Sequence, residues 1–554
     1  MRSAWTPAAP LPPPRTAGEC APCWPAPLRQ FTRALPLTAP GLLLPCHAVL
    51  LTLPPPPPPL LLFPCRAFGQ STDAAKRSIN LALSHRGQEA LRAVGVLPAV
   101  MACTVPMPQR AIHPAGGADI VTQPYGAPGQ AIHSVSRGLV NTALLDACSA
   151  QPGRIHLHFG AIVASLDESG LLTLGEDQKG SGQFAPPPPY RPRLVIGADG
   201  AFSKVRDSML RFSRTNYART FIDHGYKELS IPATAAGGSS SSSSSGGGSS
   251  SSSGGDFALA QPHSLHIWPR GDFMLIALPN LDRSFTATLF AKFQAFEQLE
   301  AGGEGAQRAF FAAHFPDVLP LLPNLHAQFS ANPTSSLLEV KCAPWHYKRR
   351  VLLIGDAAHS TVPFYGQGMN AALEDCLCFG EAFDAGAGAV GLAGQQLEAA
   401  VEAFAASRQP AGLALCDLSM GNYAEMRAKT ASPAFLLRSW LESAFAGSWV
   451  NQALGLGWRS QYSMVAFSRI PYHEVVARVA AQEAAVGYAL GALGVGLGLG
   501  VLWAATAVLG DGRRGGLGET LKGLLAANVE SAKTTAQGVV GKLRGLGEKI
   551  KALK

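Results

Sequence analysis

Gly355-Asp-Ala-Ala-His-Ser-Thr-Val-Pro-Phe-Tyr-Gly-Gln-Gly-Met-Asn370 lies between two segments of different character. Before it stands Val351-Leu-Leu-Ile354, a continuous apolar run of the kind that forms a buried strand. After it, residues 370–430 read as mostly helical. Asp356 at the strand end can accept hydrogen bonds from polyol or ribose hydroxyls. Gly366 and Gly368 let the backbone come close to a ring system. The N–H groups that open the helix near Met369 and Asn370 can stabilise negative charge on that ring.

Upstream, Leu194-Val-Ile-Gly-Ala-Asp-Gly200 is a second short apolar strand that ends in a glycine turn, followed by Ser203-Lys-Val-Arg206. Residues 76–235 read as alternating strands and helices. His266-Ile-Trp-Pro-Arg270, Phe273-Met-Leu-Ile-Ala-Leu278 and Phe285-Thr-Ala-Thr-Leu-Phe290 read as consecutive sheet strands. Between these blocks, 236–255 is a Ser/Gly tract that cannot bury a core and fits a surface loop between two strands. The span 434–480 reads as helical.

The ends differ in composition. Residues 1–75 are rich in Pro, Ala and Leu, include six consecutive prolines (Pro54 to Pro59) and hold two acidic residues, Glu19 and Asp73. This part reads as a low-complexity leader or a mistranslated region; a transit peptide would need a cleaner amphipathic helix. From Ala484 to Gly510 no charged residue occurs, a run that at about 1.5 Å per residue exceeds the ~30 Å hydrocarbon core and predicts a transmembrane helix. Gly487/Gly491 and Gly494/Gly498 have small-xxx-small spacing. The basic tail 511–554, with Lys533, Lys542, Arg544, Lys549, Lys551 and Lys554, suits an anionic membrane surface or a solvated helix. The net charge of +8 is drawn largely from that tail, and no basic stripe interleaved with aromatics points to nucleic acid. Cys20 and Cys23 form a CxxC, but only His47, Cys46 and Cys65 stand near in a proline-rich context, so no metal site is assigned; the other six cysteines read as free or buried thiols.

The 355–370 string resembles the second FAD-binding motif of class A flavoprotein hydroxylases, and Gly197-Ala-Asp-Gly200 resembles their DG motif, about 155 residues earlier. Within that group the chain resembles the kynurenine 3-monooxygenase family. The likeness rests on Arg77-Ser-Ile-Asn-Leu-Ala-Leu-Ser-His-Arg-Gly87, Ser134-Val-Ser-Arg137, His224-Gly-Tyr-Lys-Glu-Leu229, His266–Arg270, Ile276-Ala-Leu-Pro-Asn280 and Phe467-Ser-Arg-Ile-Pro-Tyr-His473, and covers roughly residues 76–510. It implies an α/β fold: an FAD-binding Rossmann-like domain with an interleaved sheet for the substrate over 76–430, a helical region 431–483 and the membrane helix 484–510. It implies FAD and NADPH as cofactors, with Ala82, Arg137, Val163, Asp199, Asp356, Gly368, Met369 and Asn370 at the cofactor. It implies L-kynurenine and dioxygen as substrates, with the amino-acid end held by Arg110 (in Pro106-Met-Pro-Gln-Arg110), Tyr125 (Gln123-Pro-Tyr-Gly126), Asn422 (Met420-Gly-Asn-Tyr423) and Tyr462 (Gln461-Tyr-Ser-Met464). A guanidinium can clamp a carboxylate with two parallel charge-assisted bonds, and phenols and an amide complete the shell without unpaired charge. No catalytic acid or base is assigned, because the substrate's own amino group pushes electrons into the ring. The family's setting is the mitochondrial outer membrane, facing the cytosol.

The pattern breaks upstream of Arg77. The family opens with a strand, a GxGxxG turn, a helix and a strand ending in an acidic residue; no GxGxxG stands there, and Gly41-Leu-Leu-Leu-Pro45 is broken by proline. The expectation is therefore a flavin sheet that has lost its central strand. Two further readings stay open: a class A hydroxylase for another aromatic acid, and a non-catalytic relative acting as a membrane scaffold.

Overall fold

The computed structural model describes residues 48–52, 60–62, 80–117, 119–159, 161–176, 189, 191–234, 255–386, 394–428, 451 and 458–485. All of them fall within one unit, Thr38–Lys554. The expected membrane helix 484–510, apart from Ala484 and Ala485, lies outside the described residues, as do the tail 511–554, the CxxC, Gly41–Pro45 and most of 431–460. Among the described residues no helix is long and apolar enough to cross a membrane.

The apolar run before the glycine loop forms β18 (Val351–Leu353), fully buried, and the run before the DG turn forms β11 (Val195–Ala198). They pair in parallel, Val195 opposite Val351. β17 (His346–Tyr347) closes one edge of their sheet, and β8 (Ile155–Leu157) the other. The middle departs from the sequence expectation. The gap is filled from the leader, by β1 (Ala48–Thr52) and β2 (Leu60–Leu62), in the order β17-β18-β11-β1-β2-β8. β1 runs antiparallel to β11 and to β2, and β2 runs parallel to β8. The central position is thus occupied, in reversed direction, so the sheet is mixed rather than an all-parallel dinucleotide-binding sheet. Two short apolar stretches flanking a proline run suffice, because pairing within a sheet is made by backbone N–H and C=O groups.

A three-stranded sheet beside it is built from β3 (Asn80–Leu83), β7 (Ile132–Ser136) and β4 (Thr104–Met107), with β7 in the middle. Helices α1 (His85–Ala93), α2 (Leu97–Met101) and α3 (Arg137–Ser149) surround it, while β9 (Ala161–Leu166) and β10 (Leu172–Glu176) form a separate hairpin against α4 (Lys204–Met209). Their apolar residues join one large core with β11 and β18.

The second layer is a seven-stranded sheet in the order β16-β12-β15-β14-β13-β5-β6. Its members are β16 (Ser335–Ala343), the long β12 (Asn216–Ile231), β15 (Phe285–Lys292), β14 (Met274–Pro279), β13 (Ser264–Pro269), β5 (Gln109–Ile112) and β6 (Val121–Pro124). The three strands expected over 266–290 pair antiparallel in sequence. One face is covered by α5 (Phe293–Ala301), α6 (Gly303–His314) and α7 (Leu325–Ala331), through Phe296, Phe311, Phe329, Leu229 and Leu289. The alternation of β12 sends Lys227 to that face, where its ammonium reaches Glu300 at 2.8 Å and two carbonyls; Tyr226 and Glu228 face the other way. The Ser/Gly tract falls between β12 and β13, and its flanks are tied: Thr234 N–H donates to the Asp256 carbonyl at 2.8 Å, and Asp256 N–H to the Thr234 hydroxyl at 2.9 Å.

After β18 come α8 (Asp356–His359), a 3-10 turn at Pro363–Tyr365, and the long helices α9 (Gly368–Gly386) and α10 (Gly394–Ala428). The last described part contains α11 (Gln461–Ala466) and a helical stretch over 472–485.

Candidate flavin and substrate site

Gly355 and Gly366 take positive φ, +56° and +62°, which a side chain would strain. At Gly366 a Cβ would stand 3.4 Å from the Ala82 Cβ, so the loop passes directly over β3. Asn370 locks this approach. Its amide donates to the carbonyls of Ala82 (2.8 Å) and Gly366 (2.9 Å), and its oxygen accepts from Ser84 N–H at 2.8 Å. The Asn370 side chain is therefore spent on the loop, and what the loop offers a ring is backbone and the start of α9. Asp356 sits partly exposed at the first position of α8, and Met369 leans on the main core.

The remaining expected cofactor residues are more scattered. Asp199 caps α4: its carboxylate accepts from the backbone N–H groups of Lys204 (2.7 Å) and Val205 (3.1 Å) and from the Ser203 hydroxyl. Arg137 is exposed at the start of α3 and faces Glu228, whose carboxyl burial pushes up to about 7 while Arg137 pulls it back. Val163 is buried on β9 opposite Leu174, inside the main core.

Gly355, Asp356, Gly366 and the start of α9 fit the ring and ribityl end of FAD, since two positive-φ glycines, a helix start and a carboxylate converge there. The adenosine end has less. The strand at the sheet centre runs in the reverse sense, and among the described residues no glycine-rich turn joins it to a helix.

Three of the four expected substrate residues come together. Arg110, on β5, has its guanidinium carbon 5.3 Å from the Tyr125 ring centre and 5.2 Å from that of Tyr462, and the two rings stack at 4.9 Å. The buried Nε of Arg110 makes no hydrogen bond with the protein. Burial pushes both phenols up, Tyr462 to about 12, so both stay neutral and leave the arginine's charge uncancelled. Tyr125, Tyr462 and Ala82 belong to one apolar cluster, which sets the clamp beside the flavin loop. Asn422 donates to the Phe364 carbonyl at 2.7 Å, and its neighbour Tyr423 stacks on Phe364 at 4.1 Å. It shapes the loop wall, where Phe364 also meets Phe290 at 5.0 Å and Tyr365 accepts from the Gln461 amide at 3.1 Å.

Sequence reasoning missed a buried ionic network beneath the loop. Arg86 meets both Glu374 oxygens at 2.9 Å, Arg408 meets Glu374 at 3.0 Å and Asp375 at 2.9 Å, and His359 meets Asp375 at 2.7 Å. Asp375 also accepts from Gly355 N–H at 2.9 Å. Burial alone would raise the Asp375 carboxyl, but His359 and Arg408 hold it below its ordinary value. Two adjacent acids in the apolar run Ala371-Ala-Leu-Glu-Asp-Cys-Leu were the available signal, because buried carboxylates require cations.

Comparison with known proteins gives a consistent result. A family model described as an FAD binding domain matches residues 325–418. The chain is 38% identical over 403 residues to kynurenine 3-monooxygenase of Christiangramia forsetii, covering 72% of this chain and 81% of that one. It is 37% identical over 421 residues to the Sus scrofa protein of the same name (75% and 80% covered) and 37% over 444 residues to that of Salinispora tropica (79% and 88%). Among solved structures, P. aeruginosa PqsL in complex with 2-aminobenzoylacetate aligns with a TM-score of 0.50 at 15% identity, covering 68% of this chain and 92% of that one; this likeness concerns the fold alone.

Proposed function

Because the chain belongs to the kynurenine 3-monooxygenase family of FAD-dependent monooxygenases, we propose that it hydroxylates L-kynurenine to 3-hydroxykynurenine with NADPH and dioxygen. The observation that carries this reading is Arg110: a guanidinium held between two neutral tyrosines, with a buried Nε that has no protein partner, beside the loop over Ala82. Such a group leaves a donor for a carboxylate, and the flanking rings leave its charge in force.

In this mechanism Arg110 binds the amino-acid carboxylate, and Tyr125 and Tyr462 fix its direction. Asn422 holds the Phe364 carbonyl, and Phe364, Tyr423 and Phe290 form an apolar wall that excludes water. Backbone at Gly366, Gly368 and Met369, with Asp356, would hold FAD, which when bound supplies the transfer of reducing equivalents from NADPH and the activation of dioxygen. The substrate's aryl amine activates its own ring, so the site needs no protein base. A membrane anchor at 484–510, with the outer mitochondrial membrane as its setting, is part of the same proposal and is supported by the uncharged run and basic tail.

The test is NADPH oxidation by the full chain supplemented with FAD. Kynurenine should accelerate it, with 3-hydroxykynurenine as product; oxidation indifferent to kynurenine refutes the assignment. A second reading, a relative that keeps the fold but holds flavin poorly, is favoured by the reversed β1. A purified chain that is colourless and refuses added FAD would select it.

A further inference from the structure

Arg86 is wholly buried on α1, and its guanidinium is shared between two parts of the molecule. On one side, one Nη meets both oxygens of Glu374, a single helical turn beyond Asn370 on the helix that starts at the flavin loop. On the other, its Nε donates to the Val465 carbonyl at 3.1 Å, its second Nη donates to the Ile470 carbonyl, and its carbon lies 4.1 Å over the Tyr472 ring. Val465 is three residues beyond Tyr462 on α11, so the arginine grips the segment that supplies one of the two clamp tyrosines. Tyr472 adds a bond from its hydroxyl to Gln367, in the loop itself, at 3.3 Å.

We propose that Arg86 is a positioning residue: it seats the segment 461–472 on the flavin helix and thereby fixes the distance between Tyr462 and the flavin loop. A buried ion pair is weak evidence of stabilisation, because desolvation offsets the attraction. What the geometry supplies is a fork whose donors reach two elements at once, which a lysine ammonium cannot reproduce. Arg408 is the internal contrast. It shares Glu374 with Arg86 but otherwise reaches Asp375, the acceptor of Gly355 N–H, and so acts on the flavin loop.

The comparison is between Arg86→Lys and Arg408→Lys in the full chain with added FAD. Three quantities are read: amide hydrogen exchange in 461–466, FAD affinity by flavin fluorescence, and KM for kynurenine with product formed per NADPH oxidised. Arg86→Lys should speed exchange in 461–466 and raise KM, each by about tenfold, lower the product yield per NADPH, and leave FAD affinity near wild type. Arg408→Lys should weaken FAD while 461–466 stays protected. The proposal is overturned if Arg86→Lys leaves 461–466 protected, or if both variants shift all readouts together, as a merely structural network would. The KM arm rests on the kynurenine assignment; if the wild type ignores kynurenine, that assignment fails and the exchange arm still decides this one. Should Arg86→Lys not accumulate as folded protein, Tyr472→Leu removes the ring under the guanidinium; exchange in 461–466 should rise in the same direction, and unchanged protection overturns the proposal.

Discussion

Arg110 sits on a strand whose neighbour, β13, runs parallel to it, with Leu265 opposite. That pairing fixes its backbone, and the rings of Tyr125 and Tyr462 fix its side chain. What remains free to vary is the number of donors presented to a ligand. Arg110→Lys keeps the charge and loses the planar fork, so KM for kynurenine should rise on the order of 10- to 100-fold with a smaller change in kcat. Steady-state kinetics measures this; an unchanged KM would mean that the carboxylate binds elsewhere. The types and local contexts of these three residues were legible in the sequence. The hydrogen bond of Asn422 to the Phe364 carbonyl was not, because an amide that binds a backbone carbonyl leaves no pattern along the chain.

Among elements, the contact of α1 with α9 and β3 governs the flavin loop. Gly87 is the close-approach point: a Cβ there would lie 2.6 Å from Asn370 Oδ1 and 2.7 Å from a Leu83 methyl. Gly87→Ala must push the helix away or displace the Asn370 amide, whose oxygen accepts from Ser84 N–H and whose NH2 donates to Ala82 and Gly366, and should destabilise the fold by about 1–3 kcal/mol and weaken FAD. Thermal unfolding and flavin titration read both effects; wild-type values for both would show that the helices have room to part. The sequence placed α9, β11, β13–β15 and β18 correctly because each has a strong local pattern: an apolar run or alternation, bounded by glycine or proline. It missed β1 and β2 because a three- to five-residue apolar run in a proline-rich stretch has no pattern of its own, and only the open sheet position beside β11 makes it a strand. The reversed sense of β1 was likewise illegible, since strand direction depends on partners distant in the chain.

For the whole molecule, tolerance to acid is set partly by a buried histidine pair at the seven-stranded sheet. His113 Nε2 lies 2.9 Å from His266 Nδ1, while His113 Nδ1 lies 3.2 Å from Asp317, to which Trp268 donates at 2.7 Å. Burial, then the neighbouring His113, pushes His266 down to about 3. Its folded value is below its unfolded value near 6.5, so the folded state binds fewer protons in that window. Its contribution is complete above about pH 6.5 and is lost as pH falls toward 3, about 2 kcal/mol of it by pH 5. His266→Gln should therefore narrow the Tm difference between pH 7 and pH 5 relative to wild type. Equal differences in the two proteins would show that other groups set the acid limit.

The reach of Arg86 to Val465 spans 379 positions along the chain, and Ser84 to Asn370 spans 286. A ribosome delivers about 5–20 residues per second, so the carbonyls that accept from Arg86 are synthesised roughly tens of seconds after the arginine. Until then the nascent chain carries a guanidinium without its acceptors next to an uncovered apolar helix face. The clamp therefore cannot assemble until residues 462–470 have been made.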